Sequence, residues 1–204
     1  KHVYTQKPLT HDIYEARILT EAAKKYKVVT QMGNQGGSGD GVRRTQELIS
    51  SGLIGDVHSV QCWTNRPVWP QGLPTPTGKF DTPKELDWDL WIGPAKMIDY
   101  NPAYLPFNWR GWWDFGTGAM GDMACHIMDA SFWVLGLKYP TRVIPESTAL
   151  FAETAPKMSR ITYEFPAGNG HGPITLTWRD GSIYPPRPAE YGPDRPWVPD
   201  ADGG

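Results

Sequence analysis

The feature that most constrains the fold is a strand–helix–strand pattern within residues 1–33. A short strand pattern ends near Lys7, Thr10 is the expected helix N-cap, and apolar residues then recur at helical spacing as far as Lys27. The segment KVVTQMG predicts a second strand. Two strands joined by a helix pair in parallel. One such unit does not complete a parallel sheet, so we expect residues 1–33 to be the end of a larger domain.

The second half of the chain predicts a different kind of sheet. SRITYEF and GPITLTW alternate apolar and polar residues and are joined by the loop PAGNGHG, which predicts an antiparallel hairpin. VHSVQCWTN and TRVIPESTALFAE predict further strands, whereas the proline-rich segment from Pro185 onward predicts an extended loop. The expected fold class is therefore α/β plus α+β: the tail of a parallel sheet followed by a domain with a mainly antiparallel sheet.

Residues 65–115 form the longest irregular segment and contain many of the aromatic residues. The chain has ten tryptophans and nine tyrosines among 204 residues. A long loop in a compact domain is usually functional or disordered, and the aromatic content argues against disorder. Two interpretations stay open: the aromatic residues form a tryptophan-rich core, or their faces stack against the C–H faces of a sugar.

Composition excludes several classes of partner. A formal net charge of −2 argues against a surface for nucleic acid or anionic membrane, because binding polyphosphate needs a marked excess of basic residues. No apolar run approaches the roughly 18 residues that span a bilayer. Cys62 and Cys125 lie far apart, so they form neither a metal-binding nor a redox pair of the usual spacing. A single disulfide between them stays open but has no support.

The glycine-rich stretch GNQGGSGDG, residues 33–41, allows two interpretations. Glycines let backbone N–H groups approach an anion, so the stretch can hold a phosphate. However, it lacks the spacing of a dinucleotide-binding loop and the lysine of a P-loop, which favours a flexible connection between domains. The helix predicted after it, DGVRRTQELISSG, is expected to end with Gly52 at the C′ position.

The strongest candidate for a catalytic site is GTGAMGDMACHIMDASFWVLG, in which a glycine-rich stretch leads into a predicted helix ending near Gly136. Asp122 and His126 are four residues apart and share one helix face. A carboxylate beside an imidazole can orient it as a general acid or base. The alternative is structural: Asp122 caps the helix and His126 is a satisfied histidine. Asp129 is weaker evidence, because a solvated carboxylate needs no function.

Lys7 is a second candidate. It follows a predicted strand of a parallel sheet, and ligands of such sheets bind beyond the carboxyl ends of the strands. A lysine there can position a substrate hydroxyl or share its proton, although a surface lysine beside a turn explains the same sequence. A zinc site is excluded, since the adjacent Cys125 and His126 point in different directions on a helix. Serine–histidine catalysis is excluded because no nucleophile elbow is present.

Three motifs in the same order resemble one family. KHVYTQKPL at residues 1–9, ELISSGLIGDVHSV at residues 47–60, and the glycine followed by D-x-x-x-H in GTGAMGDMACHIMD resemble hallmarks of the glucose–fructose oxidoreductase / inositol dehydrogenase (Gfo/Idh/MocA) family. LDWDLWIGPA and WRGWWDFGTGAMGDM are similar to a branch of sugar-active members. The resemblance covers most of residues 1–180.

The resemblance implies a division of the chain and a reaction. Residues 1–33 would be the C-terminal end of a Rossmann NAD(P)-binding domain, and residues 34–204 a substrate-binding and oligomerisation domain, incomplete at its C-terminus. The implied reaction is hydride transfer between a sugar or polyol carbon and NAD or NADP. The implied partners are a small sugar or polyol and further copies of the chain, forming a homo-oligomer through the open face of the sheet.

The resemblance also assigns roles to individual residues. Lys7 would be the catalytic lysine that contacts both nicotinamide and the reacting hydroxyl, with Pro8 beside the cofactor. His126 would be the acid or base at the substrate, and Asp122 would bind and orient the substrate. The other implied substrate contacts are Trp109, Arg110 and Trp112. No metal is implied.

Two departures from the family pattern limit these expectations. Gln6 replaces the usual glutamate before the lysine, and the family's dinucleotide fingerprint with its ribose-binding acid would lie upstream of Lys1. We therefore expect a fragment that holds NAD poorly by itself, and its compartment, cytoplasmic or periplasmic, stays undecided.

Two alternatives to a dehydrogenase stay open. One is a glycoside hydrolase that oxidises the sugar transiently with NAD and cleaves it by elimination; the other is a non-catalytic sugar-binding or oligomerisation module.

Overall fold

The computed structural model describes residues 1–192 and residue 194, which form two sheets and four α-helices. The strands are β1 (Val3–Gln6), β2 (Thr30–Gly33), β3 (Ser59–Trp63), β4 (Arg142–Ser147), β5 (Ser159–Phe165) and β6 (Ile174–Arg179). The α-helices are α1 (Ile13–Tyr26), α2 (Asp40–Ser50), α3 (Trp88–Ile92) and α4 (Gly118–Leu135). Short 3₁₀ helices cover Gln35–Ser38, Asn108–Gly111 and Ala189–Tyr191.

The first sheet consists of β1 and β2, which are parallel and connected by α1. The last residues of the two strands, Gln6 and Gly33, lie opposite each other in the register. The predicted parallel unit is therefore confirmed. Because the two strands end at the same level, the residues that follow them emerge at the same edge of the sheet.

The C-terminal ends of α2 and α4 agree with the sequence prediction, but the N-terminal end of α1 differs from it. Gly52 follows the C-cap of α2, and Gly136 ends α4, as expected. The predicted N-cap Thr10 is wrong. Asp12 is the N-cap of α1, because its carboxylate accepts a hydrogen bond from the backbone N–H of Glu15 at 2.8 Å. An N-cap oxygen has to reach the second or third backbone N–H of the helix, and Thr10 stands too early in the chain.

The second sheet has the strand order β3-β6-β5-β4. β4 with β5 and β5 with β6 are antiparallel, which confirms the predicted hairpin. β3 lies parallel to β6 at the edge of the sheet, a pairing that the sequence did not predict. The sheet is mixed but mainly antiparallel, so the predicted fold class is confirmed.

Helix α4 packs one face against the second sheet. Met128 and Leu135 of α4 share a buried cluster with Phe165, Leu176 and Trp178 of β5 and β6. Leu176 and Trp178 have no exposed surface. Each fully buried side chain of this size contributes about 1.5–3 kcal/mol. This packing fixes the helix on the sheet, so that its opposite face can carry polar side chains.

The stretch GTGAMG before Asp122 has the spacing G-x-G-x-x-G, but the structure uses its glycines for packing. A Cβ at Gly116 would lie 2.5 Å from the carbonyl oxygen of Arg110, and one at Gly118 would lie 2.4 Å from the Cβ of Ala155. Both distances exclude a side chain. The stretch also follows an irregular loop rather than a strand, unlike a dinucleotide-binding loop. Gly116 lets the backbone of Arg110 lie against the start of α4, and Gly118 lets Ala155 approach the first residue of that helix.

The aromatic residues of the long loop form an ordered cluster. The rings of Trp88 and Trp91 stack with centroids 4.9 Å apart, and Tyr104 packs edge-on against Trp112 and Phe115 at 5.0 and 5.4 Å. Trp112 is buried, and its indole N–H donates to a backbone carbonyl. For these residues the structure supports the interpretation of a tryptophan-rich core.

The stretch at residues 33–41 is a regular turn. It contains the 3₁₀ helix Gln35–Ser38 and leads directly into α2. This 3₁₀ helix packs against α4, and a Cβ at Gly37 would lie 3.3 Å from the carboxylate of Asp129. The stretch therefore contains a short helical turn that contacts α4, and its expected role as a flexible connection between domains stays a prediction.

The two cysteines are unpaired, and the described part of the segment from Pro185 onward is mostly irregular. Cys62 and Cys125 both carry free thiols, so no disulfide joins them. From Pro185 the chain is irregular apart from the turn Ala189–Tyr191; the part of that prediction that concerns residues 193 and 195–204 lies outside the described residues. Within those that are described, no helix is long and apolar enough to cross a membrane.

Asp180 after β6 provides a test of how the second sheet is held together. Its buried carboxylate accepts hydrogen bonds from the backbone and hydroxyl of Ser159 at 2.6 and 2.7 Å and from the Trp178 indole at 2.9 Å. Asp180→Ala leaves these buried donors unpaired, at about 1–3 kcal/mol each. We expect calorimetry of the full-length protein to show a melting temperature lower by about 5 °C or more. The exposed-site control Asp56→Ala should shift it by about 1 °C at most; equal shifts would contradict this account.

Candidate active site

Helix α4 carries three polar side chains on the face opposite the core. Asp122, His126 and Asp129 stand at i, i+4 and i+7 and so form a stripe along about two turns. The helix begins at Gly118 with Thr117 as its N-cap, so Asp122 lies in the second turn and does not cap the helix. The α4 residues in or against the core are Met120, Met123, Ala124, Ile127, Met128, Phe132 and Leu135.

Lys7 reaches this stripe from the end of β1. Its Nζ donates to the backbone carbonyl oxygen of Asp122 at 2.7 Å and to the carboxylate Oδ1 at 3.3 Å. The two side chains are 20% and 16% exposed. The interpretation of Lys7 as a surface lysine is therefore wrong: the chain brings together two predicted site residues that stand 115 positions apart.

Arg110 is the second cation at Asp122. Its Nε lies 3.5 Å from Oδ1 of Asp122. Its guanidinium stands over the rings of Phe107 and Trp109, 4.4 and 4.6 Å from their centroids, and such contacts favour a cation over a π face. The aromatic rings thus fix Arg110, and two cations face one carboxylate.

A cleft of 330 Å³ opens beside this ion cluster. Trp109, Arg110 and Asp122 line it, together with Pro8. A second cleft of 520 Å³ shares Trp109 with the first. Trp112 lines neither of them, because it lies in the aromatic cluster. The structure therefore gathers two of the three predicted substrate contacts of the long loop beside Asp122 and leaves Trp112 apart.

His126 is held by a residue that the sequence analysis did not identify. Its Nδ1 lies 2.9 Å from the side-chain oxygen of Asn34. Among the residues that the structure describes, no hydrogen bond joins His126 to Asp122. The expectation that Asp122 orients the imidazole is thus not met, because the Asp122 carboxylate faces Lys7 and Arg110 instead.

The surroundings of His126 favour its neutral form. Burial lowers the pKa of His126 below its ordinary value of 6.5, and the ammonium group of Lys7 lowers it further. Asp122 and Asp129 raise it, each with a smaller effect than Lys7. A neutral imidazole at physiological pH can accept a proton from a substrate hydroxyl.

Asn34 could have been selected from the sequence by its position after a predicted parallel strand. Asn34 is the first residue after β2, just as Lys7 is the first residue after β1. The rule that ligands bind beyond the carboxyl ends of parallel strands selects Asn34 as well as Lys7. Applied to both strands of the predicted unit, the rule would have found the residue that holds His126.

Two further observations concern the surroundings of the site. The described part of the chain contains no group of three or more histidine, cysteine, aspartate or glutamate side chains that could hold a metal ion. Gln6, which replaces the family's glutamate, lies against Gly33: a Cβ there would be 3.1 Å from its Oε1. Gln6 therefore packs against the neighbouring strand, one residue before Lys7.

Comparison with protein families gives one match. The family model described as "Oxidoreductase family, C-terminal alpha/beta domain", from the Gfo/Idh/MocA group, matches residues 39–172. A comparison with curated proteins found no match.

Comparison with solved structures shows the same fold. An NAD binding oxidoreductase from Klebsiella pneumoniae is 18% identical with a TM-score of 0.56, over 87% of this chain and 41% of that one. A super-repressor mutant of Gal80p from Saccharomyces cerevisiae is 18% identical with a TM-score of 0.57, over 90% and 43%. The WlbA dehydrogenase from Chromobacterium violaceum, solved with NADH and UDP-GlcNAcA, is 16% identical with a TM-score of 0.53, over 87% and 41%. The chain thus spans about two fifths of the length of these structures.

The charges around His126 predict opposite shifts of its pKa in two variants, and these shifts can be measured without catalytic turnover. Lys7→Met removes a cation that lowers the pKa of His126, so the pKa should rise. Asp122→Asn removes an anion that raises it, so the pKa should fall. Nuclear magnetic resonance titration of the His126 ring protons measures both shifts. Lys24→Met, at a lysine 71% exposed on α1, is the control and should leave the pKa in place. Shifts of the same sign in the two site variants would contradict the assigned geometry.

Proposed function

This chain belongs to the Gfo/Idh/MocA oxidoreductase family, and we propose that it forms the substrate-facing part of an NAD(P)-dependent oxidoreductase. The proposed reaction transfers a hydride between nicotinamide and a hydroxyl-bearing carbon of a sugar or polyol. The observation that carries the proposal is the convergence of Lys7 on Asp122, one helical turn from His126, at the edge of a cleft. Lys7 stands directly before Pro8, which lines the cleft, and His126 lies one turn of α4 beyond Asp122, which also lines it.

Each residue has a role that follows from its chemistry. In the direction of oxidation, the neutral imidazole of His126 accepts the hydroxyl proton. The Lys7 ammonium donates a hydrogen bond to the same oxygen and stabilises the negative charge that develops on it. Asp122 holds Lys7 in place through its carbonyl and carboxylate. In the reverse direction the imidazolium returns the proton.

The residues beside the cleft fit the nicotinamide end of the cofactor. Pro8 and Leu9 give the cleft an apolar wall near Asp122, which suits a flat ring, and Lys7 follows the strand end at which parallel sheets bind ligands. When bound, nicotinamide accepts or supplies the hydride. We assign the rest of the dinucleotide to no residue of the described chain.

A sugar or polyol suits the other side of the cleft. Trp109 offers an aromatic face on which C–H groups can stack, and Arg110 and Asp122 offer a donor and an acceptor for hydroxyl groups. The structure from Chromobacterium violaceum, which has this fold, was solved with both NADH and a sugar nucleotide. That precedent supports a sugar as the substrate class of this chain.

The first experiment incubates the full-length protein with NAD or NADP and a panel of sugars, polyols and glycosides. Net formation of NADH or NADPH supports the proposed dehydrogenase. Cleavage of a glycoside without net reduction of the cofactor would support the hydrolase alternative instead. Sugar binding with no chemistry, unaffected by Lys7→Met and His126→Gln, would support the non-catalytic module.

The roles of Lys7 and His126 predict large losses of turnover. Lys7→Met and His126→Gln should each lower kcat by about 100-fold or more, since a general acid or base typically contributes 10²–10⁴-fold. Steady-state kinetics with the substrate found in the panel measure the loss. Lys24→Met serves as the control and should keep the kcat of the unmodified protein. Turnover that survives both site substitutions would refute the assigned roles.

The position of Trp109 at the cleft predicts that its substitution weakens binding of the sugar or polyol. Trp109→Ala should raise KM up to about tenfold with little change in kcat, because loss of an aromatic stacking surface costs about 0.5–1.5 kcal/mol. The matched control is Trp133→Ala, at a tryptophan 45% exposed on α4. A KM that rises equally in both variants would show that Trp109 does not contact the substrate.

A further inference from the structure

Asn34 occupies the same place in the fold as Lys7. Each residue follows directly after one of the two parallel strands, whose last residues lie opposite each other. Lys7 contacts Asp122, and Asn34 contacts the next turn of α4. The edge of the first sheet thus touches the polar stripe of α4 at two points.

The orientation of the Asn34 amide is determined by its partners. Its Nδ2 donates to the backbone carbonyl oxygen of Cys125 at 2.6 Å and to Oδ2 of Asp129 at 3.3 Å. Both partners are acceptors. If the amide were turned over, its oxygen would face these two oxygens and no hydrogen bond would form. The Asn34 oxygen is therefore the atom that faces Nδ1 of His126, at 2.9 Å.

This orientation determines which nitrogen of His126 carries the hydrogen. An amide oxygen only accepts, so Nδ1 of His126 must donate. A neutral imidazole has a single N–H, and its other nitrogen keeps a free lone pair. Nε2 has no hydrogen-bond partner among the described residues and is not one of their buried unpaired atoms. Nε2 is therefore not completely buried, and no described residue occupies its lone pair.

We propose that Asn34 is a positioning residue that holds neutral His126 in the Nδ1–H tautomer, so that Nε2 is the atom that exchanges the substrate proton. The inference rests on the proposed function. During oxidation the substrate O–H bond would break and its proton would bond to Nε2. The C–H bond of the carbon that bears this oxygen would break as its hydride passes to nicotinamide, and a C=O bond would form. The imidazolium keeps its Nδ1–H on Asn34 throughout, so the ring stays in one orientation in both protonation states.

The role of Asp129 follows from the same network. Its carboxylate accepts from Asn34 Nδ2, so it helps to hold the amide in the orientation that His126 needs. The charged groups that act on His126 are Lys7, Asp122 and Asp129, while its direct partner is a neutral amide. An amide orients the ring without the strong stabilisation of imidazolium that a carboxylate partner gives, in keeping with the lowered pKa of His126.

The direct test is a long-range proton–nitrogen correlation spectrum of the full-length protein labelled with nitrogen-15 at histidine. His126→Gln assigns the His126 signals. Above the pKa of His126, the unmodified protein should show a protonated Nδ1 and an unprotonated Nε2, which resonate far apart. A neutral His126 protonated on Nε2 would overturn the proposal.

Two variants test whether the Asn34 side-chain oxygen determines the tautomer of His126. Asn34→Leu removes the acceptor and should allow protonation on Nε2. The double variant Asn34→Asp with Asp129→Asn restores an acceptor for Nδ1–H and keeps the contact with residue 129, with donor and acceptor exchanged, but it loses the hydrogen bond to the Cys125 carbonyl oxygen. The double variant should therefore recover part of the Nδ1–H signal. The control Gln35→Leu, at the exposed neighbouring amide, should keep the spectrum of the unmodified protein. An Nδ1–H signal unchanged in Asn34→Leu would overturn the proposal even if the double variant failed to fold.

Kinetics separate this inference from the proposed function. With an active substrate, Asn34→Leu should lower kcat about tenfold or more with little change in KM, because the basic nitrogen is no longer held free. The double variant should recover part of the loss. A kcat unaffected by Asn34→Leu would refute the positioning role. Absence of turnover with every substrate in the panel would instead refute the proposed function, and the tautomer spectrum would still decide the state of His126.

Discussion

The contact between Lys7 and Asp122 is the interaction on which the site depends. It joins the edge of the parallel sheet to helix α4, and it uses both the backbone carbonyl and the carboxylate of Asp122. The parallel unit has few other means of fixing itself: no residue of α1 is buried, and all four residues of β1 are exposed. Asn34 adds the second link one turn along α4. The strand ends and the helix therefore define the site together.

The second sheet contributes by placing α4. One face of the helix is buried against β5 and β6, and this leaves Asp122, His126 and Asp129 on the other face. The aromatic loop contributes Arg110 in the same way. The rings of Phe107 and Trp109 contact its guanidinium, and the glycine at position 116 lets its backbone lie against the start of α4. The second sheet and the aromatic loop thus place Asp122 and Arg110, and Lys7 and Arg110 both approach Oδ1 of Asp122.

Much of the fold could be predicted from local patterns. The β5–β6 hairpin, the parallel β1–β2 unit and the ends of α2 and α4 follow from periodicity and from glycine at helix ends, which act over a few residues. Lys7 and Asp122 could each be selected as a candidate, because one follows a parallel strand and the other stands four residues before a histidine. Their placement in one site was implied only by the family resemblance, and their contact comes from the structure. The division of the chain at residue 33 stays a prediction.

The features that the sequence did not predict depend on contacts between distant segments. β3 lies beside β6 because of the packing of the whole sheet, and no local pattern encodes that partner. Trp112 and Trp109 look alike in the sequence, but only the folded loop puts one in the core and the other at the cleft. Asn34 was missed because an amide has no charge and belongs to no catalytic motif; its importance comes from three partners on α4.

The central claim is that a hydride passes between a bound sugar or polyol and nicotinamide at this site. The most direct measurement follows deuterium. The full-length protein is incubated with NAD or NADP and sugars or polyols that carry deuterium on the hydroxyl-bearing carbons, and the nicotinamide is analysed by mass spectrometry. The account predicts that one labelled carbon passes its deuterium to the cofactor, and that His126→Gln abolishes the transfer. Binding of a labelled sugar beside the cofactor, without label in the nicotinamide, would contradict it.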